Sequence, residues 1–124
     1  MNHEPTVNNP TEAHKFFETR LRFIISPTDV KASKPHMIDV REAMDFAQGH
    51  VPGARNLPEE SWDTLAGLSR DQVNVVYGTS MTSQLADRAC AFFASKGYSV
   101  MLMEGGYDAW KQLGEDTIEK GVRG

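Results

Sequence analysis

The stretch from Val75 to Cys90 has the pattern of a buried strand, a short loop and the start of a helix. In open α/β sheets, this kind of junction is where ligands bind. The loop consists of small and hydroxylated residues with one methionine, namely Gly78, Thr79, Ser80, Met81, Thr82 and Ser83. Its backbone amides could point at an anion, helped by the positive end of the helix dipole. Hydroxyl-rich loops before helices also cap the helix and do nothing more, so both interpretations stand at this stage.

The side chains of this loop offer little nucleophilic chemistry by themselves. Ser80, Thr82 and Ser83 would need an activating base, and a triad assembled with His50 and Asp39 has no support in the spacing. Capping of the helix is the better interpretation of these hydroxyls. Met81 adds a flexible apolar side chain, which slightly favours a hydrophobic or protein partner over a small oxyanion.

The single cysteine of the chain lies in the helix that follows the loop. Cys90 falls on the apolar face of that helix, together with Leu85, Ala86, Ala89 and Phe93. We expect a small core residue, because burial in apolar surroundings raises the pKa of a thiol and disfavours the thiolate. About seven helical positions, roughly 10 Å along the axis, also separate Cys90 from Ser83. A catalytic role for Cys90 is therefore not expected.

Two other strand ends could contribute to a pocket rim beside the loop. Asp39 and Arg41 lie at the end of one predicted strand, and Glu104 and Gly105 follow another. The carboxyl ends of parallel strands meet at one edge of a sheet, so these residues could face the loop. Asp39 and Arg41 could equally well lock their strand to the next helix.

The four histidines do not indicate a metal site. His3, His14, His36 and His50 have no metal-ligand spacing with one another or with Cys90, so we predict neither a metal nor a cofactor. His50 lies in a glycine and proline turn, where we expect it to form a structural hydrogen bond.

The elements that must position these residues alternate between strands and helices. Helix start signals, each a capping residue followed by proline and an acid, begin at Asn9 and at Ser26. The first helix should run to about Phe23 and the second to about Ala32. The first has apolar residues at one-face spacing: Ala13, Phe16, Phe17 and Leu21. Continuous apolar strands are predicted at 36–40, 73–77 and 98–103, with helices at 41–48, 84–96 and about 106–113, a short helix at 61–66 and an extended piece at 55–57.

Uninterrupted apolar strands are covered on both faces, and their alternation with helices implies parallel crossovers. The predicted fold class is therefore α/β, a small and mostly parallel sheet with helices on both faces and an extra N-terminal helix. In the helix predicted at 41–48, we expect Ala43, Phe46 and Ala47 to point inward.

Composition restricts the remaining function classes. The 124 residues are 40% hydrophobic and 24% charged, which fits one globular domain able to bury a core. A net charge of −4, with scattered basic residues, argues against a nucleic-acid partner. The longest apolar stretches, at 23–25 and 100–103, are too short to span a bilayer, and no signal pattern opens the chain. We expect a cytoplasmic protein without a membrane partner or an internal disulfide.

The chain resembles the rhodanese-like domain family in the order and spacing of five runs. These are IDVR from Ile38, GHVPGARNLP from Gly49, VVY from Val75, GYSV from Gly97 and EGGYDAW from Glu104. The second and fifth runs are specific when taken together. The resemblance implies a rhodanese-like domain at 26–114, preceded by an N-terminal extension with one helix at 1–25. The polar composition of residues 115–124 predicts a tail after the domain.

Active members of this family are sulfurtransferases, which use a cysteine as the first residue of the loop after the strand that ends in tyrosine. The thiolate attacks the outer sulfur of a donor such as thiosulfate and passes the sulfur on from a persulfide. The matching position here is Gly78, and the sixth loop position, which is basic in many active members, is Ser83. The related phosphatase chemistry would also need a cysteine and an arginine that this loop lacks.

Three hypotheses follow from these departures. The first is a rhodanese-fold domain without sulfurtransferase activity, acting as a binding or regulatory module whose loop from Gly78 to Ser83 recognises an unknown protein partner or a small anion. The second is sulfurtransferase activity that persists through another residue or through a partner. The third is a degenerate copy without a present function.

Overall fold

The computed structural model describes residues 8–80 and 82–121. Its helices are α1 (Pro10–Leu21), α2 (Pro27–Ser33), α3 (Ala43–Gln48), α4 (Leu85–Ser95) and α5 (Gly106–Lys111). Its strands are β1 (Ile24–Ile25), β2 (His36–Asp39), β3 (Arg55–Asn56), β4 (Asn74–Tyr77) and β5 (Val100–Met103). Short 3₁₀ segments cover Glu59–Thr64 and Glu115–Thr117.

Within the described residues, the strands form one five-stranded sheet in the order β1-β5-β4-β2-β3, with every neighbouring pair parallel. Val76 at the centre pairs with Ile38 on one side and Leu102 on the other. The predicted α/β class with a mostly parallel sheet is confirmed. The edge strand β1 was not predicted, because two residues are too few to show a strand periodicity.

Helices cover both faces of the sheet, as the continuous apolar strands require. Alternation along each strand divides the core, because successive side chains point to opposite faces. One buried cluster contains Val30, Met37, Phe46, Val51, Ala54, Val75, Tyr77, Met103, Tyr107 and Trp110, under α2, α3 and α5. The other contains Ile38, Val40, Leu57, Trp62, Val76, Ala86, Ala89 and Phe93, under α4 and the first 3₁₀ segment.

Both predicted helix start signals are confirmed at atomic detail. The side-chain oxygen of Asn9 accepts the backbone N–H of Glu12 at 3.0 Å, and the hydroxyl of Ser26 accepts that of Asp29 at 3.1 Å. α1 ends at Leu21, two residues before the predicted end, and α2 continues one residue beyond its own. Among the described residues, α1 contributes no buried side chain.

The predicted helix at 41–48 begins later than expected. The backbone N–H of Arg41 is held by the Asp39 carboxylate at 2.9 Å, which turns the chain and delays the first helical residue to Ala43. Phe46 is buried as predicted. The inward orientation expected for the two alanines is wrong for Ala43, which is exposed, and only partly right for Ala47, which is half-buried.

The segment predicted as a polar tail packs against the domain in its described part. The Trp110 indole N–H donates to the Thr117 carbonyl at 2.8 Å, and Thr117 is buried. His50 and Glu119 form an isolated antiparallel bridge with backbone hydrogen bonds of 2.8 and 2.9 Å. The polar composition of this segment did not predict that it packs against the domain, because backbone groups of the segment make most of its hydrogen bonds. In the portion of the chain that the structure describes, every helix is too short or too polar to cross a membrane.

Candidate functional site

The loop after β4 is held in place by the first turn of α5. Gly78 is buried at the carboxyl end of the central strand β4. The backbone N–H of Tyr107 donates to the Gly78 carbonyl at 2.8 Å, and that of Asp108 donates to the Thr79 carbonyl at 2.9 Å. The loop and the run from Glu104 therefore form one unit at this edge of the sheet.

Gly106 makes this close approach possible. Its φ of +64° lies in the left-handed region, and a Cβ built there would lie 2.8 Å from the Gly78 carbonyl oxygen and 2.9 Å from the Ser80 nitrogen. Real Cβ atoms do not come so close to backbone, so only glycine lets α5 dock on the loop.

The loop hydroxyls divide between two roles. The Ser83 hydroxyl accepts the backbone N–H of Leu85, the first residue of α4, at 3.3 Å, although Ser83 precedes the N-cap residue Gln84, whose own side chain makes no capping hydrogen bond. Ser80 and Thr82 instead hydrogen-bond each other, with 2.9 Å between their hydroxyl oxygens. Met81, named above as a loop residue, lies outside the described residues.

A cavity of about 200 Å³ opens beside Gly78. Glu104 and Gly105, predicted as rim residues, both line it. Its lining also includes Ser80, Ser83, Ala86, Asp87, Leu102, Met103 and Gly106, with Arg20 and Ile24 from α1 and β1. Among the lining residues that the structure describes, Arg20 is the one cation, and Asp87 and Glu104 are the two acids. Nothing in the sequence near the loop indicates Arg20, since it reaches the cavity from the N-terminal helix.

Gly78 itself has room for a side chain. A Cβ built on it would lie 3.5 Å from the Ala86 Cβ, 3.7 Å from the Ala86 nitrogen and 3.9 Å from the Ser83 hydroxyl oxygen. These are ordinary van der Waals distances, and the φ of Gly78 lies outside the left-handed region. Neither the backbone nor the packing thus requires glycine at this position.

Asp39 and Arg41 form a buried ion pair behind the loop. The Arg41 Nη2 donates to Asp39 Oδ2 at 2.8 Å and to the Gly49 carbonyl at 2.6 Å, while its guanidinium lies 4.0 Å from the centre of the Tyr107 ring. Burial acts to lower the pKa of Arg41, but its hydrogen bond to Asp39 and the charge of that carboxylate outweigh burial and raise it. This geometry is that of a lock between strand and helix.

The structure does not bring Asp39 and Arg41 into the cavity at Gly78. Arg41 lines a separate cavity of about 340 Å³ on the other side of the loop, together with Thr79, Tyr107 and Lys111. Asp39 is fully buried. Neither residue lines the cavity at Gly78, and Arg41 instead lines the cavity beside Thr79.

The tyrosines beside this pair are held in their neutral form. Burial, followed by the Asp39 charge, raises the pKa of Tyr77 well above its ordinary value, and burial also raises that of Tyr107. The Tyr77 hydroxyl accepts the backbone N–H of Val51 at 3.0 Å. Both rings act as packing and hydrogen-bonding groups.

Cys90 lies on the helix face predicted for it and lines a groove between α1, α4 and β5, together with Phe16, Phe23 and Met101. Its sulfur lies 3.8 Å from the Met101 carbonyl oxygen. Burial, with a smaller effect of the Asp87 charge, raises the pKa of the thiol to about 12. The predicted increase in pKa is confirmed.

The structural hydrogen bond predicted for His50 is also confirmed. Its ring is buried and stacked on Phe46 with 3.7 Å between ring centres. Nδ1 donates to the Phe46 carbonyl at 2.7 Å, and Nε2 lies 3.1 Å from a carboxylate oxygen of Glu119. His50 thus ties the glycine and proline turn to the C-terminal segment.

Comparison with protein families gives a match to the rhodanese-like domain over residues 27–113. Among curated relatives, the thiosulfate sulfurtransferase GlpE of Pseudomonas aeruginosa is 30% identical over 97 residues, covering 72% of this chain and 84% of the relative. That of Pseudomonas putida is 34% identical over 80 residues, with 60% and 68% covered.

Solved structures of similar fold include BH2092 from Bacillus halodurans, with a TM-score of 0.74 and 29% identity over 90% of this chain and 87% of that one. A thiosulfate sulfurtransferase from Pseudomonas aeruginosa has a TM-score of 0.66 and 25% identity, covering 79% of this chain and 19% of that one. A rhodanese-like domain protein from Staphylococcus aureus, at 19% identity and a TM-score of 0.68, shares the fold over 80% of this chain and 98% of its own.

Proposed function

Because the chain belongs to the rhodanese-like domain family, we propose that it is a binding or regulatory module that has lost sulfurtransferase chemistry at a single position. The observation that carries the proposal is Gly78 at the base of the loop cavity, where a side chain would fit. The fold thus leaves space for a side chain at this position, and glycine has no side chain that could act as a nucleophile.

The charges around the cavity support the same proposal. Thiosulfate is a dianion, whereas Asp87 and Glu104 oppose the single positive charge of Arg20 among the described lining residues. Ser83 stands where many active members have a basic residue, and its hydroxyl serves the helix start. An anionic donor would therefore gain little electrostatic attraction here.

Cys90 is a poor substitute for the missing nucleophile. With a pKa of about 12, its thiol is almost fully protonated at neutral pH, and the thiolate is the reactive species. It also lines the groove under α1 and is not among the residues that line the cavity at Gly78.

The recognition surface in this proposal is the loop from Gly78 to Ser83 with its rim of Glu104 and Gly105. Thr79 and Thr82 are exposed, so a partner can reach the loop from solvent. The docked turn of α5 fixes the loop backbone, which lowers the entropy lost on binding. We propose a protein partner ahead of a small anion, because of the two carboxylates at the cavity.

A steady-state turnover assay tests the loss of activity. Thiosulfate and cyanide are supplied as donor and acceptor, and thiocyanate is measured for the native protein, for Cys90→Ser and for the Pseudomonas aeruginosa GlpE relative as the positive control. We expect the native protein and Cys90→Ser to remain at the rate of the protein-free reaction.

Thiocyanate formation by the native protein would favour the alternative that sulfurtransferase activity persists. Loss of that rate in Cys90→Ser would assign it to the one cysteine, whereas an unchanged rate would assign it to another residue. Either result would contradict the proposed loss of chemistry.

A further inference from the structure

The N-terminal helix α1 carries large apolar side chains that the described part of the chain leaves uncovered. Phe16, Phe17 and Leu21 are 57%, 60% and 74% exposed, and Phe23 just after the helix is 49% exposed. Exposed apolar residues that are contiguous, rather than scattered, mark interaction surfaces. The helix itself is well formed, with a capped start.

The two sides of α1 have different surroundings. Phe16, Thr19 and Arg20 line the groove toward α4 and β5. Ala13 and Phe17 line a second depression with Asn9, Pro10 and Phe16, and of these residues only Phe16 also lines the groove. Leu21 follows Phe17 by four residues, so Ala13, Phe17 and Leu21 lie one turn apart along one stripe, here named the outer seam.

We propose that the outer seam is a self-association surface, on which α1 of one copy packs antiparallel against α1 of a second copy. A two-fold axis near Phe17 would place Ala13 of one copy against Leu21 of the other. Pairing a small residue with a large one at both ends is self-complementary, as an isologous contact requires. The antiparallel direction also opposes the two helix dipoles favourably.

Charges beside the seam fit the same arrangement. His14 and Glu18 lie on one flank of the seam and already approach each other within α1, at 3.5 Å. A two-fold axis perpendicular to two antiparallel helices places the same flank of both helices side by side. His14 of each copy then faces Glu18 of the other copy, once on either side of the axis. When the His14 imidazole is protonated, opposite-sign neighbours of this kind set direction and register more than affinity.

The available area sets the expected strength of the dimer. With roughly 200 Å² for a fully exposed large apolar side chain, the exposed parts of Phe17 and Leu21 amount to about 270 Å² per copy. That is about 540 Å² in total, well below the roughly 1,200 Å² of a standard stable interface. We therefore expect a weak dimer that forms and dissociates with concentration.

The dimer would also lie next to the candidate site. Arg20 on α1 and Ile24 just after it line the cavity at Gly78, so the second copy would stand beside that cavity. Association through α1 would thus place two loops of the proposed binding module on one particle, which raises avidity for a partner with two epitopes.

Sedimentation equilibrium of the full chain, from about 10 μM to about 1 mM, tests the proposal. We expect the native protein to show a monomer-dimer equilibrium, and both Phe17→Ser and Leu21→Ser to weaken it at least tenfold. The matched control is Met44→Ser, which removes a side chain 75% exposed on α3 and should leave the equilibrium unchanged. Thermal melting checks that each variant remains folded.

Cysteine cross-linking tests the direction of packing. In a Cys90→Ser background, Ala13→Cys mixed with Leu21→Cys should form a disulfide-linked dimer under mild oxidation more readily than either variant alone.

Three results would overturn the proposal. These are a native chain that stays monomeric throughout the range, a Met44→Ser effect as large as that of Phe17→Ser, or cross-links favoured within the Ala13→Cys sample alone. A monomeric native chain that co-sediments with anionic phosphatidylserine vesicles would assign the seam to a membrane surface instead.

Discussion

At the residue scale, two glycines at the candidate site are present for different reasons. Gly106 has a left-handed φ and touches the loop backbone, so its identity is fixed by geometry. Gly78 has a φ outside the left-handed region, and a Cβ built there would make only ordinary van der Waals contacts, so its identity is not fixed by the fold. The contrast separates a glycine that the fold requires from one that, in the proposed function, stands in place of a reactive side chain.

The two glycines should respond in opposite ways to alanine. Gly106→Ala should lower the free energy of unfolding by about 2 kcal/mol or more, through left-handed strain and contact with the loop. Gly78→Ala should change it by less than about 1 kcal/mol, because a methyl group fits and the unfolded chain loses freedom. Urea unfolding of both variants measures the difference. Equal destabilisation would show that Gly78 is also structural.

Some site residues were accessible from sequence and others were not. Gly78 and Ser83 were identified because they occupy known positions of a strand-loop-helix pattern. Arg20 and Asp87 were missed, because the cavity brings them together from α1 and α4, and single-sequence patterns carry no such long-range contacts.

At the element scale, a buried ion pair joins the end of β2 to the end of α3. Arg41 is 6% exposed and Asp39 fully buried, and the pair also fixes the Gly49 carbonyl and stacks on Tyr107. The sequence left the role of these two residues open between rim and lock. Only the three-dimensional position of Tyr107 and Gly49 decides for the lock, since both come from other elements.

Arg41→Ala should therefore destabilise the domain by about 3 kcal/mol, because it leaves the Asp39 carboxylate buried without its partner. The matched control is Arg88→Ala, which breaks a pair with Glu59 whose side chains are 58% and 50% exposed. That surface pair should contribute less than about 1 kcal/mol. Chemical denaturation compares the two variants, and similar losses would argue against a lock at Arg41.

The strands and helices themselves were largely predictable. Long apolar runs identified β2, β4 and β5, and capping signals located α1 and α2. The edge strand β1 escaped because Ile24–Ile25 is too short to show a period, and the start of α3 was displaced by a side-chain turn at Asp39. Local signals thus determine element type better than element ends.

At the scale of the whole molecule, the chain has the family fold and a cavity beside Gly78, the residue that the proposed function assigns to the reactive position. The C-terminal segment contacts the domain at two places, because Thr117 accepts a hydrogen bond from Trp110 and Glu119 forms a β-bridge with His50. Covalent sulfur transfer needs one nucleophile, whereas binding needs only the surface that surrounds it. The central claim is that the protein retains the binding surface around Gly78 and has lost the sulfurtransferase activity.

Intact-mass spectrometry after incubation with thiosulfate tests that claim most directly, on the native protein, on Gly78→Cys and on Gly78→Cys with Cys90→Ser. Attack of a thiolate on the outer sulfur breaks the sulfur–sulfur bond, releases sulfite and leaves a persulfide. We predict that both variants carrying Gly78→Cys gain the mass of one sulfur atom and that the native protein gains none. A sulfur on the native protein would contradict the account, as would a Gly78→Cys protein that remains folded and gains nothing.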